Sequence, residues 1–101
     1  MIKTIELGRV VRANAGREKG HLFLIVGIIS DEYVLIADGE KRKLAAPKKK
    51  KIKHLDFKPE VMAGIANKIL EEKKVFDAEI KSALYALKQS EEQTKGDLEL
   101  V

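Results

Sequence analysis

The chain lacks several residue types that proteins use for stabilisation, catalysis or membrane insertion. It contains no Cys, which excludes disulfides and thiolate metal sites and is natural in a reducing compartment. Its longest apolar run, residues 22–29, is far shorter than the about twenty residues of a membrane-spanning helix. Residues 1–9 hold no long apolar run either, so no signal peptide is expected. We therefore expect a cytoplasmic protein with no membrane segment.

Residue constellations typical of catalytic or metal sites are also missing. The two histidines, His21 and His54, are far apart in the sequence and have no clear third metal ligand. No Ser, His and Asp residues occur at a spacing typical of nucleophilic catalysis. The sequence therefore predicts a protein that is not an enzyme and that has no cofactor, metal site or small-molecule substrate.

Positive charge is concentrated in the first part of the chain. The net charge of the 101 residues is +4. Residues 1–57 hold 13 Lys and Arg against 7 Asp and Glu, whereas residues 58–101 hold 7 against 9. Such asymmetry favours a polyanion as the partner of the first part. The alternative is surface charge that only keeps the protein soluble.

Short apolar segments separated by turn residues are typical of β-strands. They predict strands over residues 7–13, 21–29, 33–37, 40–44 and 51–57. The run at 21–29 is almost continuously apolar, which suits a strand covered on both faces. Asp38-Gly39 predicts a tight two-residue hairpin between the third and fourth strands. Five short strands in about fifty residues predict a mainly β fold, a small SH3-like barrel.

Residues 58–89 have helical periodicity and predict two short helices. Pro59 suits the first position of a helix, and Asp77 is a candidate N-cap of the second. The apolar stripe of the first helix comprises Val61, Met62, Ile65, Ala66, Ile69 and Leu70. The stripe of the second comprises Phe76, Ile80, Ala83, Leu84 and Leu87. These stripes pack into the protein's own core or form a surface for a partner.

The composition divides the chain into three parts. Residues 1–57 form the predicted barrel and residues 58–89 a helical extension. Residues 90–101 contain few apolar residues, and these show no periodicity, so we predict a flexible tail there.

The predicted loop between the first two strands is the first candidate for contact with a nucleic-acid backbone. Arg17 and Lys19 lie in it between Gly16 and Gly20. An Arg guanidinium can bind a phosphate through two hydrogen bonds, and glycines let another backbone approach closely. Glu18 would repel a phosphate if it faced the same way as its neighbours. The alternative is a solvated loop whose glycines serve only the turn.

A lysine run is the second candidate, and it comprises Lys48, Lys49, Lys50, Lys51 and Lys53. Side chains alternate in an extended segment, so Lys49, Lys51 and Lys53 would form one row that follows a nucleic-acid backbone. The alternative is an edge strand protected from aggregation by its charges. The remaining candidates for RNA contact are Arg12, Asn14, Arg42 and Lys43.

Aromatic residues are too few for recognition of many unpaired bases. Proteins that bind single strands stack bases on exposed rings. Here Phe23 lies inside an apolar run, where a core position is expected. The sequence therefore favours recognition of the backbone and shape of a structured nucleic acid, not of unpaired bases.

Residues 8–39 contain GRVVRAN, AGREKG and HLFLIVGII, and this succession resembles a KOW motif. The likeness continues through VLIADG and LAAPKKKKIKHLDF and is similar to the eukaryotic and archaeal type of large-subunit ribosomal protein fourteen. It covers roughly residues 5–57. The resemblance implies a KOW-type barrel and an RNA-binding role in or near the ribosome, with rRNA and ribosomal proteins as partners. The alternative is a protein-interaction module of the transcription or translation machinery, which would use the barrel or the apolar helix faces.

Overall fold

The computed structural model describes the backbone of residues 5–100 and the side chains of residues 5–89. Within this part, five strands precede two α-helices. The strands are β1 (Arg9–Ala13), β2 (Leu22–Ile28), β3 (Tyr33–Ala37), β4 (Lys48–Lys51) and β5 (Leu55–Val61). A short 3-10 helix (Ile52–His54) joins β4 to β5, and α1 (Ala63–Leu70) and α2 (Asp77–Leu100) follow. The predicted mainly β class with a helical part is confirmed, but the prediction of two short helices is wrong for α2, which has 24 residues.

The strands form one antiparallel sheet in the order β4-β3-β2-β1-β5. The first four strands form a meander, and β5 returns to pair with β1. Val11 therefore lies between Phe23 on β2 and Phe57 on β5. The last strand of the sheet lies beside the first.

Neighbouring residues of a strand point to opposite sides of the sheet, so its apolar strands place side chains on both faces. Each of these faces is packed into a separate buried cluster. On one face, Val11 and Phe23 belong to a buried cluster that extends to Ile52 and Leu55. On the other face, a second cluster joins the sheet to the helices and comprises Val10, Leu24, Ala37, Ile65, Ile80 and Leu84. The prediction that the second strand is covered on both faces is confirmed for Phe23, Leu24 and Ile25, whereas Ile28 and Ile29 at the end of the predicted run are 49% exposed. The centres of the two helical stripes pack into the protein's own core.

The predicted hairpin at Asp38-Gly39 and the predicted strand over 40–44 are wrong. Residues 38–47 form a loop instead. The Asp38 carboxylate accepts hydrogen bonds from the backbone amides of Glu40 and Arg42, at 2.9 and 2.8 Å. These contacts curl the chain, so the segment does not pair with β3. The partner of β3 is β4, which begins only at Lys48.

The prediction of a strand over 51–57 and a helix beginning at Pro59 is also wrong. The 3-10 helix interrupts the predicted strand, and Pro59 lies within β5. Proline is tolerated there because β5 is an edge strand of the described sheet, with a register shift in its pairing between Arg9 and Val11. Val61, expected on a helix, therefore ends a strand.

The start of α2 is anchored to the loop at 38–47. Asp77, the predicted N-cap, is the first residue of α2, and its carboxylate accepts a hydrogen bond from the Leu44 amide at 2.7 Å. Gly39 has a φ of +79°, and a Cβ added there would stand 2.2 Å from the Asp77 carbonyl oxygen. Only glycine allows this close approach of the loop to the helix.

The backbone of α2 continues to Leu100, through most of the segment expected to be a flexible tail. Residues 1–4 and Val101 lie outside the described residues, as do the side chains beyond Gln89. The division of the chain at residues 57 and 89 therefore stays a prediction.

Candidate nucleic-acid interface

The loop at residues 14–20 is a tight connection between β1 and β2. The Gly20 amide donates a hydrogen bond to the Ala13 carbonyl at 2.7 Å and closes the loop. Gly16 and Gly20 have φ values of +81° and +90°, which glycine adopts without strain. Arg17 and Lys19 are exposed at the surface of this loop.

Glu18 is partly buried beneath the loop, unlike the two exposed cations beside it. Its side chain is 15% exposed. Its Oε1 lies 2.6 Å from the Lys48 Nζ, and its Oε2 lies 3.2 Å from the Arg42 Nε. The acidic residue in the loop is therefore engaged by two cations of the same chain. Glu18 does not face outward with Arg17 and Lys19, so the condition under which it would repel a phosphate is not met.

The ionised form of Glu18 is stabilised by its partners. Burial raises the pKa of the Glu18 carboxyl, but the hydrogen bonds and charges of Lys48 and Arg42 together outweigh burial and hold the pKa below its ordinary value. The carboxylate is therefore charged at neutral pH. It takes up part of the positive charge of two residues predicted to contact RNA.

The lysines of β4 divide between the two faces of the strand. Lys48 and Lys50 pair with Ile36 and Val34, whose side chains are buried in the first core cluster. They share the side on which loop 14–20 lies, since a Cβ on Gly16 would stand 3.9 Å from the Lys50 Nζ. We call Arg17, Lys19, Arg42, Lys48 and Lys50 the basic edge.

The other two lysines of β4 surround Tyr33. The Nζ atoms of Lys49 and Lys51 lie 4.6 and 5.8 Å from the centre of its ring. Lys53 belongs to the 3-10 helix, so the predicted row of Lys49, Lys51 and Lys53 on one extended strand is wrong. The chain turns after Lys51 because Ile52 enters the core.

The remaining predicted contact residues lie on β1 and on the loops at 14–20 and 38–47. The Asn14 Nδ2 donates a hydrogen bond to the Asp56 Oδ1 at 2.9 Å, which ties the loop to β5. Lys43 is exposed on the loop at 38–47. Arg12 lies on β1 and lines a groove beside α2.

This groove was not predicted from the sequence. It has a volume of about 340 Å³, and the residues that line it include Arg12, His21, Asp38, Lys81, Tyr85 and Lys88. The Tyr85 side chain is 62% exposed although tyrosine is large and partly apolar. The spacing of Lys81, Tyr85 and Lys88 places them on one helix face, which was the available signal. The same spacing does not show that these residues lie near Asp38, because that depends on how α2 packs against the sheet.

The described part of the chain holds neither a cluster of metal-ligating side chains nor a helix that could span a membrane. No three His, Asp or Glu side chains there are placed to hold a metal ion. No helix among the same residues is both long and apolar enough to cross a bilayer.

Comparison with known proteins adds two relatives. The chain is 42% identical over 65 residues to the Bacillus subtilis protein named "Putative ribosome-binding protein YbzG", a match that covers 64% of this chain and 88% of that protein. It is 40% identical over 52 residues to the large ribosomal subunit protein eL14 of Desulfurococcus amylolyticus. That second match covers 52% of this chain and 54% of the archaeal protein, about half of its length. No protein-family profile matches the chain. On the extent of the first match, the chain belongs to the family of the Bacillus subtilis protein YbzG.

Proposed function

We propose that this chain is a ribosome-associated RNA-binding protein without enzymatic activity. Its basic edge contacts the phosphate backbone of structured rRNA. Neighbouring ribosomal proteins are its further partners, and its location is the cytoplasm. The names of the two relatives support this role, since one is called ribosome-binding and the other is a protein of the large ribosomal subunit.

The geometry of the basic edge is the observation that carries the proposal. Arg17 and Lys19 project from a loop whose own acid, Glu18, is held below them by Lys48 and Arg42. A phosphate that approaches the loop therefore meets cations before it meets a carboxylate. Phosphate contacts of this kind release counterions and provide affinity without base specificity.

Glycine makes the same loop accessible to another backbone. A Cβ added at Gly20 would meet nothing within 4 Å, so the surface above it is open. Arg17 supplies a planar donor for two hydrogen bonds and Lys19 a compact charge. This combination suits a sugar-phosphate chain that passes close over the loop.

We also propose that the sheet is a KOW-type, SH3-like barrel. The return of β5 to β1 supports this because it places the last strand beside the first, as closure of a meander requires. The burial of β2 on both faces also agrees with such a fold.

Sedimentation with ribosomes tests the proposed function. Reversal of charge at Arg17→Glu and Lys19→Glu is expected to move most of the protein from the ribosome pellet to the supernatant at physiological salt. The matched control is Lys73→Glu with Lys74→Glu, which makes the same change in charge at exposed residues between the helices. Equal sedimentation of both double variants and the unmodified protein would contradict the role of the loop.

A further inference from the structure

The groove between α2 and the sheet has the chemistry of a nucleotide site. We propose that it binds one unpaired nucleotide of an RNA, whose base stacks on Tyr85 and whose exocyclic amino group donates a hydrogen bond to Asp38. The inference rests on the proposed function, because the nucleotide belongs to the RNA whose backbone lies on the basic edge. It adds base recognition, which the scarcity of aromatics had argued against.

The size of the groove and the position of Tyr85 support a single base. A volume of about 340 Å³ lies at the lower end of the range for small-ligand sites. Tyr85 lines this groove with its side chain 62% exposed, so a large part of it is open to a partner. An exposed aromatic ring beside cations is the usual platform on which proteins stack an RNA base.

Asp38 supplies a hydrogen-bond acceptor. This residue is 7% exposed, and its Oδ1 is occupied by the amides of Glu40 and Arg42. Its Oδ2 lies 3.7 Å from the His21 Nε2, too far for a direct hydrogen bond. A carboxylate oxygen with free lone pairs accepts from the amino group of cytosine or adenine, whereas uracil carries a carbonyl at the corresponding position.

Cations at the rim can hold the phosphates of the same nucleotide. Lys81 and Lys88 line the groove together with Arg12. The Lys81 Nζ forms an ion pair with a carboxylate oxygen of Glu40 at 3.7 Å, and this pair is weak because both side chains are more than half exposed. The exposed ring of Tyr85 beside these lysines favours a nucleotide over an acidic peptide, because a base can stack on the ring while its phosphate meets the lysines.

The groove and the basic edge are neighbours in the fold. Gly20 lines the groove and ends the loop that carries Arg17 and Lys19. Arg42 connects the two sites more directly, because its amide binds Asp38 and its guanidinium binds Glu18. An RNA whose backbone lies over the loop therefore has the groove within reach of its next nucleotides.

Binding of RNA hairpins with one bulged nucleotide tests this site, with a fully paired hairpin as reference. We expect a bulged cytosine to bind about tenfold more tightly than the paired hairpin, and more tightly than a bulged uracil. Tyr85→Ala should remove this gain, Tyr85→Phe should retain it, and Ser82→Ala on the same helix should have no effect. Asp38→Asn should reverse the preference toward uracil, because its amide oxygen still accepts from the two backbone amides while its NH₂ becomes a donor.

The outcomes separate the groove from the proposed function. Salt-dependent binding of the paired hairpin with no gain from any bulge would overturn the nucleotide site and leave the proposed function standing. If the unmodified protein bound none of the hairpins, the proposed function would be contradicted. In that case, NMR titration with cytidine monophosphate tests the groove separately. Shifts of the Tyr85 and His21 amides with this probe support the site. Shifts only with a polyglutamate peptide would overturn it in favour of a protein partner.

Discussion

The Glu18 carboxylate and the Lys48 ammonium lie 2.6 Å apart and join the loop at 14–20 to β4. Their ion pair crosses 30 residues of sequence, and Arg42 binds the same carboxylate from the loop at 38–47. Three separate segments therefore meet at one partly buried acid. This contact fixes the loop that presents Arg17 and Lys19, and it also reduces the positive charge of the basic edge.

Substitution of Glu18 should change stability and RNA affinity in opposite directions. Glu18→Gln weakens two charge-assisted hydrogen bonds, so the free energy of unfolding should fall by about 1 kcal/mol. It also releases Lys48 and Arg42, so RNA affinity should rise about threefold at low salt. Urea unfolding and fluorescence anisotropy measure the two effects. Glu32→Gln on the exposed turn before β3 is the control for charge alone; if it raised the affinity equally, the local explanation would be wrong.

The same carboxyl predicts a pH dependence of stability. Its pKa in the folded protein lies below the ordinary value of 4.5, so Glu18 stabilises the fold fully above that value. The contribution is lost as the pH falls through the folded pKa. Unfolding measured from pH 7 to pH 3 should therefore show a steeper loss of stability for the unmodified protein than for Glu18→Gln. Parallel curves would show that the ion pairs do not stabilise the fold.

The two faces of β4 should contribute unequally to RNA binding. Lys50 lies beside the loop at 14–20, whereas Lys49 lies over the Tyr33 ring. Lys50→Ala should reduce the slope of log K against log salt by about 0.7 to 0.9, the value for one phosphate contact. Lys49→Ala should reduce it less. A larger effect at Lys49 would move the contact surface to the Tyr33 side of the sheet.

Three glycine substitutions separate steric conflict from backbone strain. Gly39→Ala should lower the free energy of unfolding by about 3 kcal/mol or more, because its Cβ would meet the Asp77 carbonyl at a positive φ. Gly20→Ala, also at a positive φ but in open space, should cost about 1 kcal/mol. Gly64→Ala inside α1 should stabilise the protein by up to about 1 kcal/mol. Urea unfolding checks the order, and similar losses at Gly39 and Gly20 would argue against close packing of the loop on α2.

The buried centre of the helical stripe should be required for folding. Ile80 is fully buried between α2 and the sheet, whereas Leu70 at the end of α1 is 68% exposed. Ile80→Ala should cost about 2 to 5 kcal/mol, and Leu70→Ala less than about 0.5 kcal/mol. Thermal unfolding distinguishes them. A small loss at Ile80 would instead support the alternative that this stripe is a surface for a partner.

The strands that the sequence predicted well are those with unambiguous local signals. β1, β2 and β3 lie within the predicted ranges because apolar segments there are bounded by Gly, Asp and Ser residues. Asp38-Gly39 was misread because an Asp side chain can bind nearby amides as readily as it can precede a hairpin turn. The contact of Gly39 with α2, nearly forty residues later in the chain, decides between a hairpin turn and a loop held by the Asp38 side chain. Pro59 was equally ambiguous, since proline can begin a helix or lie on an edge strand.

The site was predictable in composition but not in geometry. The sequence showed that Arg17, Lys19 and the lysine run are basic, and the structure brings Lys48 and Lys50 to the loop. The role of Glu18 was hidden because its partners are 24 and 30 residues away. The groove was hidden for the same reason.

Ultraviolet crosslinking of the protein to RNA in cells shows whether the loop at 14–20 and β4 contact rRNA. The bound RNA is sequenced, and the crosslinked peptides are identified by mass spectrometry. We expect enrichment of one rRNA region, with crosslinks in the peptides that carry the loop at 14–20 and β4. Crosslinks confined to residues 63–76, or an absence of rRNA enrichment, would contradict it.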